Sequence, residues 1–261
     1  MVAMARRGHN MWNWERWYNS MKWYAQSIQP GGGWFMSHGD GGHSGVSIPT
    51  ALLFKNCYPE NPLIDYVLQE TLNYHNKGND KVDGGRGYVM LQCLFATDPS
   101  TVDHNMGKNV EDSEITFFDP ERNSLITRSE FGENETQLQF ECRADPVAEN
   151  HQHADRGNFT ISGAGHVWGI DRFRGVESRH HNVVTINSVG QGYTAPPGQW
   201  LGLQDNKDAT FGTCDAKYAY DWKWDGIISG FADKDVPRRK FERWAKFTKT
   251  ADKFMKENPF F

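Results

Sequence analysis

Residues 150–184 read NHQHADRGNFTISGAGHVWGIDRFRGVESRHHNVV, and both the fold and the chemistry turn on them. Phe159 and Ile161 alternate with Asn158, Thr160 and Ser162, the period-two pattern of a strand with two unlike faces. Gly163-Ala164-Gly165 supplies a three-residue turn and His166 to Asp171 runs back, so the stretch predicts a β-hairpin. Folding about Ala164 brings Asp171 opposite about Gly157, close to Asp155. If the outgoing strand extends far enough back, His151 and His153 share one face. His180 and His181 then re-enter at the head of an apolar segment, Val183 to Ile186, which reads as another strand. Imidazoles and a carboxylate can therefore converge on one point. That is the ligand set of an open Zn²⁺ site, with one position left for water or substrate.

The ordered run HQHAD, GNFTISGAGHVWGIDRF and RHHNVVTINSVGQG resembles the β-sandwich domain of the heparinase II/III-like polysaccharide lyases, a group with alginate lyase relatives. The likeness spans roughly Ser113 to Tyr220. It implies an α+β chain: a short N-terminal α-helical segment over residues 1–112, a remnant of an α/α toroid, then an antiparallel β-sandwich over residues 113–261. By family position His153, Asp171 and His181 match the metal ligands, with His180 as the alternative to His181. The implied ion is Zn²⁺, with Mn²⁺ or another divalent ion as substitutes, and its family role is mainly structural. His151 matches the histidine that faces the substrate. Asp155 reads as an acceptor supporting a ligand, and His166, one face away from Asp171, as an exposed or packing residue.

Lyases of uronate polymers remove the C5 proton, neutralise the C6 carboxylate and protonate the departing O4. Imidazole suits the proton transfers because its pKa lies near working pH, which marks His151 as the catalytic candidate. The Asn150 amide could hydrogen-bond the carboxylate. Arg156, Arg172 and Arg179 are candidates for holding further uronate or sulfate groups, since guanidinium matches such anions bidentately. The toroid of the resembling enzymes also brings a catalytic Tyr and a second His, for which no counterpart is found in this chain.

The remaining sequence is consistent with that frame. The chain has 261 residues, enough for one large domain or two small ones. Aromatic residues make up 13% of it, including ten Trp, against a mean hydropathy of −0.72. Large rings thus fill much of the core, with some left as stacking surfaces for sugars. A net charge of −5 argues against nucleic acid as a partner, and no apolar run is long enough to span a bilayer. The expected partner is an acidic polysaccharide; a homo-oligomer stays open. The opening MVAMARRGHNMWNW shows no secretory signal, although the resemblance suggests a secreted or periplasmic protein. Cys57, Cys93, Cys142 and Cys214 follow no CxxC spacing and assign no disulfides. Asn134 and Asn158 head glycosylation sequons, and a glycan on Asn158 would crowd the hairpin.

Along the chain, Met11 to Ile28 carries apolar residues at helical spacing and stops at Pro30 and the glycines after it. Ile48 to Cys57 and Pro62 to His75 predict two more helices. His38, Asp40 and His43 lie in the glycine-rich loop between, where a second metal site is the lesser reading and a polar connection the greater. Tyr88 to Ala96 is a short apolar element. From residue 113 the pattern turns to β: Ile115–Phe118, Leu125–Arg128, Gln137–Cys142, then Ala209–Tyr220 and Gly226–Phe231. Arg238 to Met255 has near-helical spacing, whereas the resemblance implies strands. Two functions follow from this reading. One is a lyase cleaving an acidic uronate polysaccharide by metal-supported β-elimination, with a C5 epimerase as its close chemical variant. The other is a catalytically incomplete carbohydrate-binding or structural protein that retains the metal-bound sandwich.

Overall fold

The computed structural model describes residues 7–8, 15–30, 34–35, 44–45, 48–76, 113–132, 134–143, 153–171, 178–186, 190–191 and 198–220. Three helices come first: α1 (Glu15–Ser27), α2 (Ile48–Cys57) and α3 (Pro62–Asn76). The second and third match the predicted bounds to within a residue. Asn61 caps α3, its Oδ1 accepting the Leu63 N–H at 3.0 Å, and Pro62 fills the first helical position, where no N–H is needed. Met21, Ala25, Phe54, Ile64, Val67 and Leu68, all fully buried, form one cluster between the helices, joined by Phe131. Each of the larger side chains contributes about 1.5–3 kcal/mol, so packing rather than helix propensity holds this layer. In the glycine-rich loop, Trp34–Phe35 (β1) and Ser44–Gly45 (β2) pair as a minimal ribbon. His38, Asp40 and His43 lie outside the described residues, as do the predicted elements at Tyr88–Ala96, Gly226–Phe231 and Arg238–Met255. Among the described residues no helix is long and apolar enough to cross a membrane.

The architecture is α+β, with a five-stranded antiparallel sheet following the helices in the order β3-β4-β5-β6-β7. Its strands are β3 (Thr116–Asp119), β4 (Ser124–Arg128), β5 (Thr136–Glu141), β6 (Asn158–Gly163) and β7 (His166–Gly169). The central hairpin forms as expected, with a tighter turn. Gly163 pairs with His166, leaving only Ala164 and Gly165 in the loop, at φ of 49° and 74°. Positive φ at both central positions is the turn whose twist suits a hairpin. The register then slips between Ile161 and Ser162, so Ile161 faces Gly169, and Asp171 ends beside Asn158 rather than Gly157. Alanine is ill suited to the left-handed region, which asparagine tolerates. Ala164→Asn should therefore stabilise the chain by about 0.5–1 kcal/mol, read as a higher urea midpoint at unchanged slope.

The sheet is half-buried with its polarity reversed. On β5 the deeply buried side chains are Gln137, Gln139 and Glu141, while Leu138 and Phe140 are the less buried set. On β6 the buried residues are Asn158, Thr160 and Ser162, and Phe159 is exposed. The cause is the end of α1, whose last carbonyls have no partners within the helix. The Gln137 amide donates to the carbonyls of Gln26 and Ile28. Arg128 Nη2 donates to the same two oxygens at 2.9 and 2.7 Å. Gln29 bridges Gln137 and Ser162. Arg128 is itself fully buried, ion-paired with Glu135 at 3.1 Å and lying over the Phe131 ring at 4.4 Å.

Part of the apolar face is covered by a second hairpin, β8 (Gln199–Asp205) and β9 (Thr210–Asp215). Trp200 sets its ring edge-on to Phe118 and Phe140, at centroid distances of 5.0 and 5.4 Å. This gives the two-layered sandwich. β8 was not foreseen, and Ala209–Tyr220 is strand only to Asp215, continuing as a 3₁₀ turn at Lys217–Tyr220. The strand expected at Val183–Ile186 does not form: only Ile186 makes a bridge, and Val184 and Ile186 are exposed.

Candidate metal centre

The segment before β6 is not strand. Gly157 adopts φ 78°, a conformation that costs a side-chain-bearing residue dearly, and the Asn158 N–H closes a turn onto the Asp155 carbonyl at 2.9 Å. The strand therefore cannot reach back to His153, which arrives through a loop instead. His181 likewise sits just past a 3₁₀ turn, Ser178–His180, and not at a strand's head.

These two loops and the end of β7 meet. One ligand atom from each of His153, Asp155, Asp171 and His181 lies within 4.8 Å of the others, and all four residues are buried. The His153 and His181 rings stand 4.9 Å apart between centroids. Asp171 Oδ1 is 2.7 Å from His181 Nδ1, yet this buried oxygen accepts no hydrogen bond. Ligand atoms at this spacing can serve one ion together. A tetrahedral ion about 2.1 Å from each ligand spaces them about 3.4 Å apart, so the wider pairs would draw in and the 2.7 Å pair would ease apart to close the shell. Two imidazoles with carboxylate oxygen suit a divalent ion. The residues present fit the implied group.

Neighbouring polar groups hold the cluster in place. Arg143 Nη2 donates to the His153 carbonyl at 3.3 Å and to Asp155 Oδ1 at 3.2 Å. Burial pushes the Asp155 carboxyl up from its ordinary range, and the Arg143 guanidinium pulls it the other way. Asn158 donates towards Asp171 Oδ2 at 3.5 Å and accepts the Asn182 N–H at 3.0 Å. Asn182 Nδ2 donates to the carbonyls of Phe159 and Ile170, at 2.7 and 3.1 Å, locking the loop bearing His181 across the hairpin. Gln191 takes the Arg156 N–H at 2.7 Å, while the Ser178 hydroxyl donates to the Ala154 carbonyl at 2.8 Å. A glycan on Asn158 has no room, because that side chain is 2% exposed and bonded on both sides.

The residues named from sequence are distributed as follows. His153, Asp171 and His181 come together, joined by Asp155. Arg156 is buried, its Nη1 donating to the His153 carbonyl at 3.3 Å, so it backs the cluster rather than facing outward. Arg179 is exposed, His180 half-buried and His166 exposed. Asn150, His151 and Arg172 lie outside the described residues. Sequence reasoning passed over Arg143, Asn158, Ser178, Asn182 and Gln191 as supports. Two of them, Asn182 and Gln191, stand inside the motifs HNVV and GQG, and Asn182 directly follows the ligand candidate His181.

No protein-family model matches the sequence, and no curated protein does. Among solved structures, a heparinase III gene product superposes with a TM-score of 0.51 at 12% identity, over 76% of this chain and 28% of that one. A heparan sulfate lyase HepC mutant from Pedobacter heparinus gives 0.48 at 14% identity, again over 76% and 28%. The chain thus spans less than a third of the length of these proteins. Over three quarters of its own length, its fold is similar to part of a heparinase III.

Proposed function

We propose that the chain carries the metal-supported part of a polysaccharide lyase that cleaves an acidic, uronate-containing glycan by β-elimination. The observation that carries this is the buried cluster of His153, Asp155, Asp171 and His181, set in a fold shared with a heparinase III. His153, Asp171 and His181 would hold the ion, with Asp155 either completing the shell or orienting it. Zn²⁺ suits two imidazoles and a carboxylate, and Mn²⁺ is the alternative. When bound, the ion supplies a positive centre that ties the hairpin to the His181 loop.

His151, two residues before a ligand, takes the C5 proton of the uronate. The Asn150 amide donates to the C6 carboxylate as negative charge spreads onto it. The C4–O4 bond then breaks, a C4–C5 double bond forms, and the leaving oxygen takes a proton from an acid. Arg179, exposed, and Arg172 hold neighbouring acidic groups, while buried Arg156 and Arg143 keep His153 and Asp155 in place. Incubation with alginate and with glycosaminoglycans should raise ultraviolet absorbance from the unsaturated uronate, and His151→Ala should cut the rate by about 10²–10⁴-fold. Binding without any rise in absorbance would instead establish the carbohydrate-binding reading.

A further inference from the structure

Four cysteines are scattered through the sequence, and among the described residues the fold brings two of them together. Cys142 directly follows β5 and is fully buried; Cys214 lies on β9, paired with Trp200. Seventy-odd residues apart, their side chains come within interaction range of one another. Cys142 Sγ also lies 3.8 Å from the carbonyl of Asp215, next to Cys214. The backbone is drawn in at the same place: Gly198 N–H donates to the Arg143 carbonyl at 2.7 Å. A Cβ on Gly198 would stand 2.2 Å from Cys142 Sγ, so only glycine leaves room for that sulfur. Both side chains are thiols in this structure.

We infer that Cys142 and Cys214 are a redox-active pair that closes to a disulfide, clamping the β8–β9 hairpin to the end of β5. The two thiols differ in the way such chemistry needs. Cys214 is half-buried, and its interaction with Cys142 brings its thiol below the ordinary value, favouring thiolate. Cys142 is pushed up by that same interaction and by burial. Cys57, by contrast, is pushed up to about 11 by burial and is a poor nucleophile. The oxidant is a small-molecule disulfide such as oxidised glutathione. The Cys214 thiolate attacks one of its sulfurs, forming a mixed disulfide and releasing one glutathione thiolate. Cys142 loses its proton and attacks the Cys214 sulfur, expelling the second glutathione thiolate. Two protein thiols are oxidised, one glutathione disulfide is reduced to two thiols, and the protons end on glutathione. The new bond lies one residue from Arg143, the side chain that holds the His153 carbonyl and Asp155.

The test equilibrates the full chain with oxidised or with reduced glutathione, then alkylates in denaturant and maps peptides by mass spectrometry. The reduced chain should show four alkylated cysteines and the oxidised chain two, with the peptides bearing residues 142 and 214 joined. Oxidation should raise Tm by roughly 5 °C, and Cys214→Ser should abolish both the joined peptide and the rise. Four persistent thiols, a link to Cys57 or Cys93, or loss of two thiols in Cys214→Ser would each overturn the inference. Because Cys214 is only half-buried, its serine variant keeps the packing around buried Cys142, and an unchanged circular dichroism spectrum verifies this.

Discussion

Asp171→Ala should leave the chain unable to retain a divalent ion. Elemental analysis after buffer exchange should find about one ion per wild-type chain and essentially none in the variant. Changing groups behind a ligand already weakens metal binding by about 10–100-fold, so losing a ligand should exceed the upper figure. Asp171 is the informative choice because its Oδ1 touches His181 Nδ1 at 2.7 Å and has no hydrogen bond to lose. Removing this carboxylate costs the contacts with His181 and Asn158 in either case; only with an ion does it also open the shell. The response to chelator and Zn²⁺ therefore separates the two cases. If the ion is bound, Asp171→Ala lowers Tm and added Zn²⁺ restores nothing, whereas wild type treated with chelator recovers on adding Zn²⁺. An ion-free wild type whose Tm ignores both chelator and Zn²⁺ would dismiss the metal centre.

The second large effect lies where helices meet sheet. Arg128→Ala should destabilise the chain by roughly 3–5 kcal/mol, the usual cost of breaking a buried ion pair from one side. It strands Glu135 without its 3.1 Å partner. It also removes donors to the carbonyls of Gln26 and Ile28. Replacing both members, Arg128→Met with Glu135→Leu, should recover most of the loss, since no charge is then left buried alone. Equilibrium urea unfolding measures all three variants.

Glu135 adds a pH signature to that pair. Burial pushes its carboxyl up to about 7, with Arg128 opposing, from an ordinary value of 4.5. A carboxyl raised on folding binds its proton more tightly in the native state. Its contribution is therefore fully present below pH 4.5 and is lost as pH rises through about 7. Wild-type stability should fall across this window relative to Glu135→Gln, which does not titrate. Equal slopes for the two proteins would show that Arg128 compensates the buried charge completely.

Much of this was legible in the residues themselves. The helices at Ile48 and Pro62 announce themselves by apolar spacing. The central hairpin is plain because period-two alternation brackets a glycine-flanked turn. His153, Asp171 and His181 could be named because they match the ligand positions of the resembling family; spacing around the hairpin said only that imidazoles and a carboxylate can converge. What alternation cannot say is which face turns inward. Gln137, Gln139 and Glu141 alternate with Leu138 and Phe140, and only the unpaired carbonyls at the end of a distant helix decide that the polar set is buried. The run Val183–Ile186 has strand-forming side chains, yet the Asn182 amide already spans the carbonyls of Phe159 and Ile170, and no ladder follows. β8 was hidden because Gly202 interrupts its pattern and its register shifts between Trp200 and Gly202. The turn that ends it does leave a trace: Asn206 Oδ1 accepts the N–H groups of Asp208 and Ala209, at 2.9 and 3.0 Å.

Oil sliding on oil would let a helical layer drift over a sheet at little cost, because dispersion has no direction. Amides and guanidinium groups reaching for particular oxygens permit no such drift. Gln137 and Arg128 meet the Gln26 and Ile28 carbonyls at hydrogen-bond length, so the layers can mate in one orientation only. Any ligand that touched both layers at once would find them already indexed, like a key cut on two edges.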